Sequence, residues 1–206
     1  MSIVKLNNQA VKNATAFGSI SSLGSMTLIK KLTASSSATL SFVDGSDGVV
    51  LDDTYKEYVF TFNNIHPQND DVIFQFNMST DGGSNYNIAK TTTVFRAYHN
   101  EAGNTTTLSY NTSQDLAQGT GFQTIVDGLG NDNDQSVSGS FTLFNPSSNT
   151  FVKHFYSTIN SSFYFDYSFN YYIAGYGNTV NPIDAVRFQM NSGNIDAGDI
   201  CLYGIA

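Results

Sequence analysis

The chain has no tryptophan, one cysteine, three prolines and only nine lysines and arginines in 206 residues. Each shortage excludes something. A single cysteine, Cys201, rules out an intrachain disulfide, and its neighbours Ile200 and Leu202 favour a buried, inert thiol over a nucleophile. Charged residues make up 13% of the chain, against about a quarter in typical domains. The net charge is -8, and Lys5, Lys12, Lys30, Lys31, Lys56, Lys90, Arg96, Lys153 and Arg187 are scattered along the sequence. No basic stripe is available to neutralise phosphates, so nucleic-acid binding is not expected. No apolar run is long enough to span a membrane, and the stretch from Met1 to Asn8 lacks the apolar core of a signal peptide. The expectation is a soluble protein made in a cytoplasm, without a membrane partner. Sustained three-and-four spacing of apolar residues is also missing, which argues against helices.

What remains is rich in Ser, Thr, Asn, Gly, Tyr and Phe, the composition of an all-β protein whose solvent faces carry hydroxyls and amides. Residues 1–25 are too weakly patterned for a strand and read as an extended arm: either a disordered terminus or a strand that docks on a neighbouring subunit. Alternation begins at Met26. Leu28, Lys30 and Leu32 alternate with Thr27, Ile29 and Lys31, and Ala38, Leu40 and Phe42 alternate with Thr39 and Ser41. Tyr58, Phe60 and Phe62 alternate with Val59 and Thr61, and Val72, Phe74 and Phe76 with Ile73 and Gln75. The connection from His66 to Asp70 makes these two a plausible hairpin. Further strands are expected over residues 92–98, 105–110, 137–144, 151–156 and 163–173. Residues 114–129 contain Gly119, Gly121 and Gly128 and read as a loop.

The carboxyl-terminal stretch reads as two more strands joined by a polar turn. Val186, Phe188 and Met190 share one face, with Arg187 and Gln189 on the other. The run from Ile200 to Ile205 is apolar on both faces, as in a strand held between layers. About eleven strands separated by Gly, Asn, Asp and Ser turns lead to the expected fold: an all-β, two-sheet antiparallel β-sandwich of jelly-roll type, with the arm at residues 1–25 and a single domain at residues 26–206.

The ending IDAVRFQMNSGNIDAGDICLYGI, together with KKLTASSSATLSFVDG, YVFTFNNIHP and FRAYHNEAG, resembles a family of small β-rich proteins encoded by tailed bacteriophages of aquatic bacteria, of the cyanophage kind. The resemblance spans residues 28–205. It implies a virion structural component without a catalytic motif, assembled in the host cytoplasm and partnered by copies of itself and other capsid or tail proteins.

Candidate chemistry is thin. Asp132 and Asp134 offer oxygen ligands at alternating positions, but the glycine and distal glutamate of a calcium loop do not follow. His66, His99 and His154 lack metal-ligand spacing. No Gly-x-Ser-x-Gly elbow accompanies His99, and no catalytic, cofactor or metal residue is assigned. Phe163, Phe165, Tyr167, Phe169 and Tyr171 share the core face of one strand in this reading. Tyr164 and Tyr172 then stand on the opposite face, with Tyr176 in the following turn. These three tyrosines are either ordinary sheet-surface residues, subunit-interface anchors or a stacking platform for host surface glycans. The expected function is a non-enzymatic virion structural protein, a capsid decoration or a tail or fibre appendage, with a carbohydrate-binding receptor adhesin as the competing class.

Overall fold

Alternating side chains become twelve strands, and no helix, in the computed structural model, which describes residues 26–206. The arm expected over residues 1–25 lies outside the described residues. In chain order the strands are β1 (Met26–Thr33), β2 (Leu40–Val43), β3 (Glu57–Pro67), β4 (Val72–Ser79), β5 (Lys90–Asn100) and β6 (Thr106–Tyr110), followed by β7 (Gln123–Leu129), β8 (Val137–Phe144), β9 (Lys153–Phe163), β10 (Tyr167–Gly177), β11 (Ala185–Met190) and β12 (Ile195–Ile205).

All twelve join one antiparallel hydrogen-bonded network. One run is β1-β12-β3-β8-β9, continued from the far edge of β9 by β10, β5 and β6. A second run, β7-β4-β11-β2, meets the first through a single pair, Leu129 of β7 with Phe163 of β9. The all-β, antiparallel expectation therefore holds.

Pairing departs from the expected hairpins. β3 does not pair with β4; it lies between β12 and β8, while β4 lies between β7 and β11. The segment after Pro67 is thus a crossover from one run to the other. The two terminal strands behave the same way: β11 pairs with β2 and β4, whereas β12 pairs with β1 and β3. Alternation reports which face is buried and is silent about which strand lies alongside.

Two further expectations are corrected. Residues 114–129 are not all loop, because β7 occupies their second half with Ile125, Val126 and Leu129 buried. Gly128, read as a loop signal, has a φ of +63° and leaves room for the Phe163 ring: a Cβ there would lie 1.8 Å from a ring carbon. Residues 163–173 are not one strand. The chain turns after Phe163, with the Asp166 N–H donating to Phe163 O at 3.0 Å and Asp166 at a φ of 60°. Phe165, expected in the core, is therefore 63% exposed at the turn.

The core is aromatic, and its centre is Phe188 of β11. Its ring lies 5.2 Å from Phe62, 5.3 Å from Phe60, 6.1 Å from Phe74 and Phe141, 6.3 Å from Phe76 and 6.4 Å from Phe42. Those six rings come from β2, β3, β4 and β8, so one side chain of the second run touches both runs. Edge-to-face rings contribute about 0.5–1.5 kcal/mol per pair beyond the area they bury. Phe188→Ala is expected to cost about 3–5 kcal/mol in urea unfolding. Phe165→Ala should stay within about 0.5 kcal/mol of the parent, and equal losses would show that Phe188 is not central.

Candidate binding face

The register of β9, β10 and β5 fixes what faces outward. Tyr172 of β10 lies between Phe95 of β5 and Thr158 of β9, Ala174 between Thr93 and Tyr156, and Tyr176 between Thr91 and His154. Directly opposed residues share a face. β6 adds Tyr110 opposite Phe95 and Leu108 opposite Ala97, and β8 adds Ser140 opposite Thr158.

Across these five strands the outward positions are Ser138, Ser140, Thr142 and Phe144 on β8, then His154, Tyr156, Thr158, Asn160 and Ser162 on β9. They continue with Ser168, Asn170, Tyr172, Ala174 and Tyr176 on β10, Thr91, Thr93, Phe95, Ala97 and His99 on β5, and Thr106, Leu108 and Tyr110 on β6. Not one is Asp, Glu, Lys or Arg. A molecule of net charge -8 thus presents a broad face whose strand positions carry no Asp, Glu, Lys or Arg; at its β6 edge the Asp115 carboxylate accepts from the Tyr110 hydroxyl at 2.6 Å.

Aromatic rings divide this face. Phe95 and Tyr172 stack at 4.8 Å with planes 11° apart, both exposed. Tyr156 packs beside Phe144 at 5.7 Å, and Tyr176 lies 6.1 Å from His154. Between the Phe95–Tyr172 stack and the Tyr176–His154 pair lies a groove with Ala174 in its floor. A hollow of about 200 Å³ beside Phe95 and Tyr172 meets one of about 440 Å³ beside Thr91, Thr93, His154 and Tyr176, and both share Tyr156 and Ala174.

Of the three tyrosines singled out in the sequence, two are brought together here. Tyr172 and Tyr176 stand on the same face of β10, roughly 14 Å apart at the usual strand rise. Tyr164 is not with them. It sits in the β9–β10 turn, its ring 4.6 Å from Phe163 and 4.0 Å from Phe165. Partial burial, then the nearby Asp71, Asp70 and Asp127 carboxylates, push its hydroxyl pKa upward. The turn at Asp166 breaks the alternation that placed it beside Tyr172.

Other sequence candidates are dispersed. Asp132 and Asp134 are exposed on the turn between β7 and β8, where Asp132 O accepts from the Gln135 N–H at 2.9 Å and contacts His66 Nε2 at 3.2 Å. Asp134 lines a cleft of about 210 Å³ with His99, Glu101 and Asp166. Among the described residues no group of three or more His, Cys, Asp or Glu side chains is placed to hold a metal ion.

Two residues counted in the sequence as scattered surface charge are buried completely. Lys90 and Lys153 flank Gly177, which pairs with Lys90 across β5 and with Lys153 across β9. Lys90 Nζ donates to Asn77 Oδ1 at 2.6 Å and Ile88 O at 2.8 Å, while Asn77 Nδ2 donates to Tyr86 O and Thr120 O. Lys153 Nζ donates at 2.8 Å to both Ser148 O and Phe151 O. Each ammonium clasps loop carbonyls without a carboxylate partner. The alternation Ile88, Lys90, Thr92, Val94 could have shown that Lys90 points inward. Desolvation lowers both lysine pKa values, that of Lys90 to about 7.

Below about pH 7 Lys90 is protonated in folded and unfolded chains alike. Above it the folded protein releases the proton, while the unfolded chain holds it to about 10.5, so stability rises with pH in that window. Above about pH 10 the sign reverses. Desolvation pushes Tyr58 up to about 12 and raises Tyr171 as well, so the unfolded chain ionises first there. Stability measured by urea unfolding should therefore peak between about pH 9 and 10, and Lys90→Met should flatten the rise from pH 7. A flat profile in the parent would contradict the burial. On the outer face, a double-mutant cycle on Phe95→Ala and Tyr172→Ala should return about 0.5–1 kcal/mol of coupling; no coupling would mean the stack is absent in solution.

Comparison of the chain with protein-family models, with curated proteins and with solved structures found no match.

Proposed function

We propose that this chain is a non-enzymatic structural component of a tailed-phage virion, working by contact with copies of itself and with other capsid or tail proteins. The observation that carries the reading is the β6 edge. β6 pairs only with β5 among the described residues, and its sequence TTLSY contains no charge and no proline. Leu108 is 73% exposed there, with Tyr110 beyond it. Edge strands of monomeric proteins are usually blunted by lysine, proline, bulges or a covering segment, because their free N–H and C=O groups recruit other strands. An edge without charge or proline that exposes Leu108 and Tyr110 suits a protein whose edges are covered on assembly.

The architecture suits the same role. We read the two runs as the layers of a jelly-roll-type β-sandwich, with β2, β11, β4 and β7 packed over the other run through Phe188 and the layers joined at the β7–β9 pair. The resemblance of the segments near Leu28, Val59, Phe95 and the carboxyl terminus to tailed-phage proteins supports a place in the particle. That place is a capsid decoration or a tail or fibre appendage, assembled in the host bacterial cytoplasm.

Sedimentation velocity of the purified chain should reveal concentration-dependent self-association, and Leu108→Lys should abolish it without lowering thermal stability. Mass spectrometry of intact particles should find the chain. A monomer at all concentrations that is also absent from particles would overturn the proposal.

A further inference from the structure

We propose that the groove over Ala174 binds a neutral glycan, using the face that edge contacts leave free. This goes beyond the virion reading and does not depend on it.

A pyranose ring has a C–H-lined face and a rim of hydroxyls. Binding it takes flat apolar surfaces about a strand pair wide, with donors and acceptors between them. The groove supplies both. The Phe95–Tyr172 stack, at 4.8 Å and 11°, forms one wall, its two rings lying parallel, one over the other, across β5 and β10. Tyr176 and His154 form the other wall across β10 and β9. Ala174, the only outward residue of β10 between the two walls, keeps the floor low. Thr93 and Tyr156 stand at its sides, and Thr158 lies beside Tyr172. Aromatic walls with two χ angles each are held in place at small entropic cost.

Electrostatics selects the class of sugar. An anionic chain of uronic or sulfated units would need lysine or arginine to neutralise it. None stands on the outward side of β8, β9, β10, β5 or β6, and the molecule as a whole is acidic at -8. The residues lining the groove include no Asp, Glu, Lys or Arg, so an uncharged sugar meets no ion there, and the complement of an uncharged, hydroxyl-lined groove is an uncharged, hydroxylated ligand.

The test uses the full chain on a printed array of neutral hexose and N-acetylhexosamine oligosaccharides, with oligogalacturonate and chondroitin sulfate as anionic arms. Binding should appear on the neutral arm and not on the anionic one. Tyr172→Ala and Ala174→Glu should each weaken it at least tenfold, and Phe165→Ala, at a more exposed aromatic outside the groove, should leave it unchanged. Ala174→Glu retains both aromatic walls. Where Tyr172→Ala lowers the melting temperature, Thr158→Asp replaces it as the second variant. Absence of neutral binding, preference for the anionic arm, or binding indifferent to Ala174→Glu would overturn the proposal. So would a dimer that Ala174→Glu dissociates, since the face would then be covered by a second copy. None of these outcomes bears on the β6 edge or on the presence of the chain in particles.

Discussion

Closure of the Phe188 ring onto six other phenylalanines holds this protein together. The two strand runs share a single ladder pair, Leu129 with Phe163, so the sheet ladder alone does little to fix one against the other. Phe188 brings β11 against β3 and β8, and the strands paired to β11 follow, β2 on one side and β4 on the other. Packing of this kind is sensitive to one methylene and non-directional in origin, which explains how a chain without disulfide or tryptophan, and without a helix among the described residues, fixes a single arrangement.

The polar groups inside that filled interior are taken up by the fold: Lys90 and Lys153 clasp loop carbonyls, Asn77 ties the 80–89 and 111–122 segments together, and the Tyr171 hydroxyl donates to the Asp127 carboxylate beside Arg96. Arg96 in turn lies 5.2 Å over the Phe169 ring. Outward, the same strands that bury these groups display Tyr, Phe, Thr, Ser and Asn. Inner and outer faces of β5, β9 and β10 thus differ, packed groups within and exposed rings and hydroxyls without, by the period of two that strands impose.

That period made much of the fold legible. Val186, Phe188 and Met190, or Phe60 and Phe62, announce their buried face in sequence, and β8 begins and ends at the expected residues. Partnership did not follow, because β3 and β4 alternate identically whether they pair or cross over. β7 was hidden by Gly128, whose lack of a side chain accommodates the Phe163 ring. Tyr172 was legible as an outward residue, whereas Tyr176, expected in the following turn, lies within β10 on the same face. Tyr164 was misplaced because a left-handed Asp166 turned the chain where alternation ran on. The buried lysines were missed because charge was weighed before position, and the charge-free face became visible only when register brought five strands side by side.

The dependence of both runs on Phe188 is tested most directly by urea unfolding followed in parallel by tyrosine fluorescence and far-ultraviolet circular dichroism. The account requires one transition with coincident midpoints, since neither run keeps its apolar face dry without the other. Two separated transitions, with half of the strand signal surviving the first, would contradict it.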